Sequence, residues 1–324
     1  MFYLILNFFF FLCFFVVYRI LKLKRIYKIP TKRGLKKTKV LNCGGISVFI
    51  NFTVIFIYFI LFQNHSEIEL IFISLAIIFI VSLIDDLRNL NIKLRLFFQF
   101  LFSIFFIIYF HNIIQTSSII LNFSLIFLIV WFINFYNFMD GADGFISLIY
   151  IFSLAILLSY IHYFDIRIFS DFVIFPLLAI VPFALFNFNP SKIILGDCGS
   201  TVLGLYSAFL FIHLLNLELN YALGYLCLIN PLFIDAVITL LVRIKEKKNI
   251  FKAHKTHLYQ KIIIQKGYSY FYFFYLKLCF FWFLPMSFLI FNYNEFSIIF
   301  YLISILPMIY FHKNFTYKIN ERII

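Results

Sequence analysis

The sequence predicts an all-α, polytopic integral membrane protein, and three observations predict it. Of 324 residues, 64% are hydrophobic and 13% charged, whereas a soluble domain of this length carries about 25% charged residues. Apolar runs recur along the whole chain, many approaching the ~20 residues that a spanning helix needs. The positive charges, finally, fall almost entirely on one side of the resulting topology.

About eleven spans follow, near 2–21, 43–62, 70–84, 94–110, 119–137, 145–161, 169–187, 200–217, 220–242, 270–291 and 296–311. The first lacks a basic segment ahead of it and is followed by Lys22, Lys24, Arg25 and Lys28. It is therefore expected to stay in place as a span, with the N-terminus outside and the C-terminus cytoplasmic. That arrangement puts 25 of the 27 Lys and Arg inside. Only Arg167 falls in an outside loop and Lys277 within a span, while outside connections carry Glu67, Glu69, Asp165, Glu218 and Glu295. Shifting the span count by one spoils this asymmetry. The net charge of +13 is thus a topology signal first, and an attraction for anionic headgroups and phosphorylated substrates second. No soluble domain carries it, which argues against nucleic acid as a partner. The five cysteines, Cys13, Cys43, Cys198, Cys227 and Cys279, show no C-x-x-C spacing and read as small hydrophobic filler. No repeat or linker divides residues 1–324, so a single transmembrane domain is expected.

Acidic residues break this pattern. Asp85, Asp86, Asp140, Asp143 and Asp197 sit in three short loops on the inner face. Solubility and topology give no reason for them. Convergent carboxylates repel unless protonated or bound to a cation, and Mg²⁺ suits them, taking one or two carboxylates together with substrate phosphates.

The first cluster, Ile84-Asp85-Asp86-Leu87-Arg88, ends a span, which alone equally describes a solvated helix terminus. In the second, Asn134 and Asn137 lie i, i+3 on one helix face, followed by Asp140-Gly141-Ala142-Asp143-Gly144. Buried amides in a span are costly unless used, and the glycines let backbone approach a ligand. The third, Gly196-Asp197-Cys198-Gly199-Ser200, opens a helix whose N–H groups suit a phosphate, although an N-capping Asp or Ser explains it too. The fourth, His254-Lys255-Thr256-His257-Leu258-Tyr259-Gln260, lies in a basic loop. No Cys or carboxylate nearby completes a zinc site there, so phosphate binding is the better reading, set against surface histidines with no special role. Asp235 lies within the ninth span, eight residues from Arg243, and needs a partner on another helix.

In this order the four segments resemble the polyprenyl-phosphate N-acetylhexosamine-1-phosphate transferase superfamily, over residues from about 29 to 261. The matching patterns are D-D near a span end, N-x-x-N-x-x-D-G-x-D-G, G-D-x-G-S-x-x-L-G and a late His-bearing basic loop. The form H-K-T-H-L-Y-Q is similar to the loop of the subgroup that initiates O-antigen synthesis; the phospho-MurNAc-pentapeptide translocases carry adjacent histidines instead. Two departures stand out. In the stretch from Ile29 to Ile46, Lys36 replaces the loop His and Val40-Leu41-Asn42-Cys43 the Pro-rich turn, and Ile194 stands where relatives often place a Phe that packs on uracil.

The resemblance implies a catalytic membrane domain of the bacterial inner membrane, with its active site on the cytoplasmic face. It would transfer an N-acetyl-aminosugar-1-phosphate from a UDP-sugar to undecaprenyl phosphate, releasing UMP and starting a lipid-linked glycan such as O-antigen. Asp197 and Asn137 would hold Mg²⁺, with Mn²⁺ the alternative ion. Asp85 would deprotonate or orient the lipid phosphate, with Asp86 beside it. Asn134, Asp140 and Asp143 would shape the nucleotide pocket, Gly199 and Ser200 the phosphate turn. His254, Lys255 and His257 would hold phosphate oxygens. A homodimer is among the assemblies left open. The rival within the family is the peptidoglycan translocase; the rivals outside it are a secondary transporter, which places its polar residues at the midplane, and a scaffold.

Overall fold

The computed structural model describes residues 2–29, 35, 38–63, 66–114, 119–166, 170–249 and 254–315. Expectations placed on Pro30–Gly34, Lys36, Arg167 and Lys252 lie outside them. The chain forms α1 (Phe2–Leu23), a hairpin of β1 (Tyr27–Lys28) and β2 (Val40–Leu41), α2 (Gly45–Gln63), α3 (Ser66–Arg88), α4 (Ile92–Ile114), α5 (Ile119–Met139), α6 (Phe145–Tyr163), α7 (Asp171–Asn187), α8 (Asp197–Leu217), α9 (Leu219–Leu228), α10 (Asn230–Lys245), α11 (Leu258–Leu278), α12 (Leu284–Asn292) and α13 (Ser297–Asn314). It is an all-α polytopic membrane protein. Each expected span coincides with a helical stretch. Seven stretches of the described residues are long and apolar enough to cross a membrane, eight if α9 and α10 count as one.

The bundle is built around α8. Residues 198–212 are buried without a break, as expected of a helix that is apolar on every side. It packs against α2, α3, α5 and α9. Small residues permit the approach: a Cβ on Gly204 would lie 2.7 Å from the Phe132 carbonyl oxygen, and one on Gly45 only 2.3 Å from the Gly199 backbone. In lipid, where apolar burial supplies no drive between helices, such backbone proximity is what holds them. Peripheral helices keep apolar surface outward, as at Phe8 and Leu12 on α1 and Ile298 and Leu302 on α13.

The structure differs from the sequence expectation in three places. Asp85 and Asp86 lie inside the last turn of α3, not beyond its end. The ninth span is two helices bent by 81° at Ile229. Pro231 lies in the first turn of α10, where its missing N–H costs nothing, and Asn230 beside the bend donates to Ser304 Oγ of α13 at 3.0 Å. The late basic loop is shorter than expected, since α11 begins at Leu258 and kinks at Gly267. Its first turns bury Leu258, Tyr259, Ile262 and Ile263, a 3.6-residue stripe that seats them on the bundle.

The short hairpin ties the chain's first loop to the start of α8. Tyr27 pairs with Leu41 and Lys28 with Val40. The strand continues into backbone bonds from Ile194 N–H to the Leu41 carbonyl (2.9 Å), Gly44 N–H to Ile194 (2.9 Å) and Gly45 N–H to Leu195 (2.8 Å). Ile194 is buried, so its side chain is part of this wall.

Candidate active site

The last turn of α3 and the first of α4 place opposite charges together. Asn89 takes a left-handed conformation (φ 52°), and the chain doubles back so that Leu90 N–H donates to Asp85 Oδ1 at 2.6 Å. Asp85 Oδ2 pairs with Arg95 Nη1, and the same nitrogen lies 3.0 Å from Asp197 Oδ2 at the start of α8. One guanidinium thus bridges two carboxylates from different helices. Asp85 is nearly buried and Asp197 about one-fifth exposed.

Around Asp197 the turn before α8 gathers the other groups. Gly196 sits at φ 77°, a conformation that a side chain would strain, and a Cβ there would come within 2.7 Å of Asp86 Oδ2. Its N–H donates to Asp140 Oδ2 at 3.1 Å. Asn137 on α5 donates to Asp197 Oδ2 at 3.3 Å and accepts from Ser200 Oγ at 3.3 Å. Asp86 Oδ2 accepts the Cys198 N–H at 2.9 Å, and Asp86 Oδ1 the Asn42 amide at 3.2 Å. The turn therefore does not present all its amides free, because Asp86 already caps α8. From the hairpin comes Lys28. Burial pulls its pKa down, but the carboxylates of Asp197, Asp140 and Asp86 outweigh that, and the net direction is upward.

Asp85, Asp86, Asp140 and Asp197 thus stand within one cluster, against the cations Arg95 and Lys28. Asp143 does not join them. Three residues beyond Asp140, its Oδ2 accepts from Asn189 Nδ2 (2.9 Å) and Ser191 N–H (3.3 Å), and its carbonyl from Tyr272 (2.7 Å). It lines a separate cavity of about 240 Å³ with Thr38, Asn189, Ser191 and Tyr268. Asn134 also turns away, donating to Gln99 Oε1 (2.6 Å) and the Val130 carbonyl (2.7 Å). Gly199 packs on Gly45 and Ser200 has no exposed surface.

The histidine loop is held from below by Asp235. This fully buried carboxylate accepts the Leu258 N–H (2.9 Å) and Tyr259 N–H (3.1 Å) at the start of α11 and the Thr239 hydroxyl (3.1 Å). His312 Nε2 of α13 lies 3.0 Å away and His257 Nδ1 3.5 Å. The partner that the sequence requires for Asp235 is this set, from α11 and α13 and the loop between α10 and α11. Tyr259 OH donates to the Phe138 carbonyl at 3.2 Å, fastening the loop to the end of α5. His257 is buried and His254 half-buried, their rings 4.9 Å apart. Burial, then His257 and Arg243, push His254 down to about 3, so it is neutral at ordinary pH. Lys255 is half-buried beside it.

A second cavity, about 300 Å³, opens between α4, α5 and α10. Leu96, Phe100, Phe127, Trp131 and Leu240 line it, with Arg95 and Asn134 as its polar contributions. Arg95 therefore faces both this apolar cavity and the carboxylates.

Sequence reasoning missed Arg95, Lys28, Asn42, Gln99 and His312. Arg95 and Lys28 carry no local signature, having been counted only as positive-inside charges. Gln99 had one: a buried amide one turn above Arg95 in a lipid-spanning helix calls for a partner.

The sequence model of the family described as Glycosyl transferase family 4 matches residues 68–215, the stretch carrying all five aspartates and both asparagines. Phospho-N-acetylmuramoyl-pentapeptide-transferases from two strains of Staphylococcus epidermidis are each 27% identical over 257 residues, covering 69% of this chain and 77% of theirs. The order of motifs, the helical membrane fold and these similarities agree: the chain is similar to glycosyl transferase family 4, the polyprenyl-phosphate hexosamine-1-phosphate transferase superfamily, and together they support a multi-pass membrane glycosyl-1-phosphate transferase.

Proposed function

We propose that the protein transfers an N-acetyl-aminosugar-1-phosphate from a UDP-sugar to undecaprenyl phosphate at the cytoplasmic face of a bacterial inner membrane, beginning a lipid-linked glycan such as O-antigen. The observation that carries this reading is Arg95, which joins an apolar cavity to paired carboxylates. A lipid phosphate has those two needs: a dry slot for its chain and a cation for its head.

In the reaction an oxygen of the lipid phosphate attacks the β-phosphorus of the donor. A new P–O bond forms, the bond to the bridging oxygen breaks, and UMP leaves with that oxygen. Asp85 takes or orients the acceptor's proton, while Arg95 and Lys28 steady the charge that builds on phosphoryl oxygens. The Asp143 cavity takes the nucleoside. Tyr268 there offers an aromatic face that the buried Ile194 does not. His254 donates a neutral N–H to a phosphate oxygen, and His257 anchors the loop.

The cluster fits Mg²⁺, or Mn²⁺ as the alternative. Four carboxylates face two cations, leaving two negative charges for a divalent ion to balance. Asp197 and Asn137 would hold it, since the amide can turn either its oxygen or its nitrogen toward Asp197. Once bound, the ion would draw charge from the diphosphate.

The two staphylococcal relatives favour a second donor, UDP-MurNAc-pentapeptide. Transport is less well supported: although α9 and α10 form a broken helix, the deep carboxylate Asp235 is taken up by hydrogen bonds inside the protein. A donor panel with detergent-solubilised protein, undecaprenyl phosphate and Mg²⁺ decides. UMP release with UDP-N-acetyl-aminosugars supports the proposal, and turnover of UDP-MurNAc-pentapeptide alone replaces it with the peptidoglycan reading. No Mg²⁺-dependent UMP release with any donor would overturn both.

A further inference from the structure

Beside the aspartate cluster lies a donor set of a different chemical kind. Cys43, at the turn into α2, and Cys198, in the first turn of α8, are both fully buried, and their sulfurs and an oxygen of Asp86 all lie within 4.8 Å of one another. Cys198 Sγ makes a long contact of 3.7 Å to the Leu195 carbonyl and also interacts with the Cys43 and Asp86 side chains. A fourth donor stands next to them. Asn42 is 6% exposed, its amide nitrogen is committed to Asp86 Oδ1, and its Oδ1 has no hydrogen-bond partner among the described residues. That oxygen faces the same point above Gly196 as Asp86 Oδ2, at 3.1 and 2.7 Å from it respectively. A buried carbonyl oxygen without a donor is costly, and one beside a carboxylate oxygen, on the residue that precedes Cys43, is placed for a cation.

We infer that Cys43, Cys198, Asp86 and Asn42 form a site for a soft divalent metal of the Zn²⁺ class, beside the Mg²⁺-type site at Asp197 and sharing the Asp86 carboxylate with its acidic cluster. Two sulfurs and two oxygens make a tetrahedral set that zinc accepts and Mg²⁺ does not. Zinc bond lengths imply donors about 3.3–3.8 Å apart in such a tetrahedron, so the two sulfurs and the Asp86 oxygen, which lie within 4.8 Å of one another, need to close by about 1–1.3 Å at most. The ion binds as each thiol releases its proton to solvent. Occupancy joins the turn into α2, the end of α3 and the start of α8. Because Asp86 also caps α8 through the Cys198 N–H, the site is coupled to the geometry of Asp197.

The test uses the full chain in detergent, with its thiols reduced and chelator removed, titrated with Cd²⁺ as the spectroscopic probe for Zn²⁺. One Cd²⁺ per chain is expected, giving a thiolate-to-metal charge-transfer band that excess Zn²⁺ abolishes and excess Mg²⁺ leaves in place. The band should be lost in Cys43→Ser and in Cys198→Ser, and kept when Cys13, Cys227 and Cys279 are replaced together by Ser. It should also be kept in Asp197→Asn, whatever that change does to sugar-phosphate transfer. A reduced wild-type protein without the band overturns the proposal, and that measurement depends on no variant's folding. A band that survives in Cys43→Ser/Cys198→Ser, or disappears in Asp197→Asn, overturns it equally.

Discussion

Arg95 Nη1 on α4 lies 3.0 Å from Asp197 Oδ2 on α8 while also pairing with Asp85 on α3. Three helices thus meet at one nitrogen. The contact explains how two carboxylates remain side by side, and it couples their charge to the mouth of an apolar cavity.

Replacing Arg95 by Ala should lower transfer by about 10²–10³-fold, the usual scale for removing a group that stabilises developing charge. Arg95→Lys should recover only part of it, because an ammonium is a point charge without the planar fork. Steady-state UMP release checks both variants.

Leu96→Trp places an indole in the cavity that Leu96, Phe127 and Trp131 line. The KM for polyprenyl phosphate should rise severalfold while the KM for the nucleotide sugar is unchanged. Equal effects on both substrates would remove the lipid chain from this cavity.

Asp235→Asn substitutes an amide into a site where every neighbour donates. One new N–H group must point at the N–H of Leu258 or Tyr259. Breaking a buried charged network of this kind costs about 3–5 kcal/mol. His312→Ala, which removes one partner, should cost less, about 1–3 kcal/mol. Thermal unfolding in detergent ranks them.

Gly45→Ala should destabilise the fold by about 1–3 kcal/mol or more, because the added carbon lies 2.3 Å from Gly199 backbone atoms and no rotamer can relieve a backbone clash. The melting temperature in detergent measures it.

His254 gives a pH signature. Burial, then His257 and Arg243, lower its pKa from the ordinary 6.5 to about 3. The unfolded chain therefore binds more protons than the native one between those values, and stability rises with pH across that window. The contribution is complete above about 6.5 and is lost as pH falls toward 3. His254→Gln should flatten this part of the stability profile. The wild-type activity profile should show no step at the usual histidine pKa from this residue.

Much of the site could be read along the chain because its parts are local. The motif around Asn137 and Asp140 and the turn around Asp197 each form from fewer than a dozen consecutive residues, and lipid forbids stray carboxylates in a span. Asp143 shows where such reading stops. It belongs to the same motif as Asp140, yet the turn at Gly141–Gly144 sends it to Asn189 and Ser191. The kink at Ile229 was legible in Pro231 but masked by the apolar run around it. The start of α11 at Leu258 was hidden by the lysines of the same segment.

From the sequence alone followed the membrane class, the family resemblance and the gathering of acidic residues at one end of the bundle, because the cost of charge in lipid is paid residue by residue. Only the tertiary structure decided which charges meet. Arg95 and Asp197 are 102 positions apart, and Cys43 lies outside the matched stretch 68–215 that contains Cys198. Such pairings depend on distances across packed helices, and neither spacing nor composition encodes those distances.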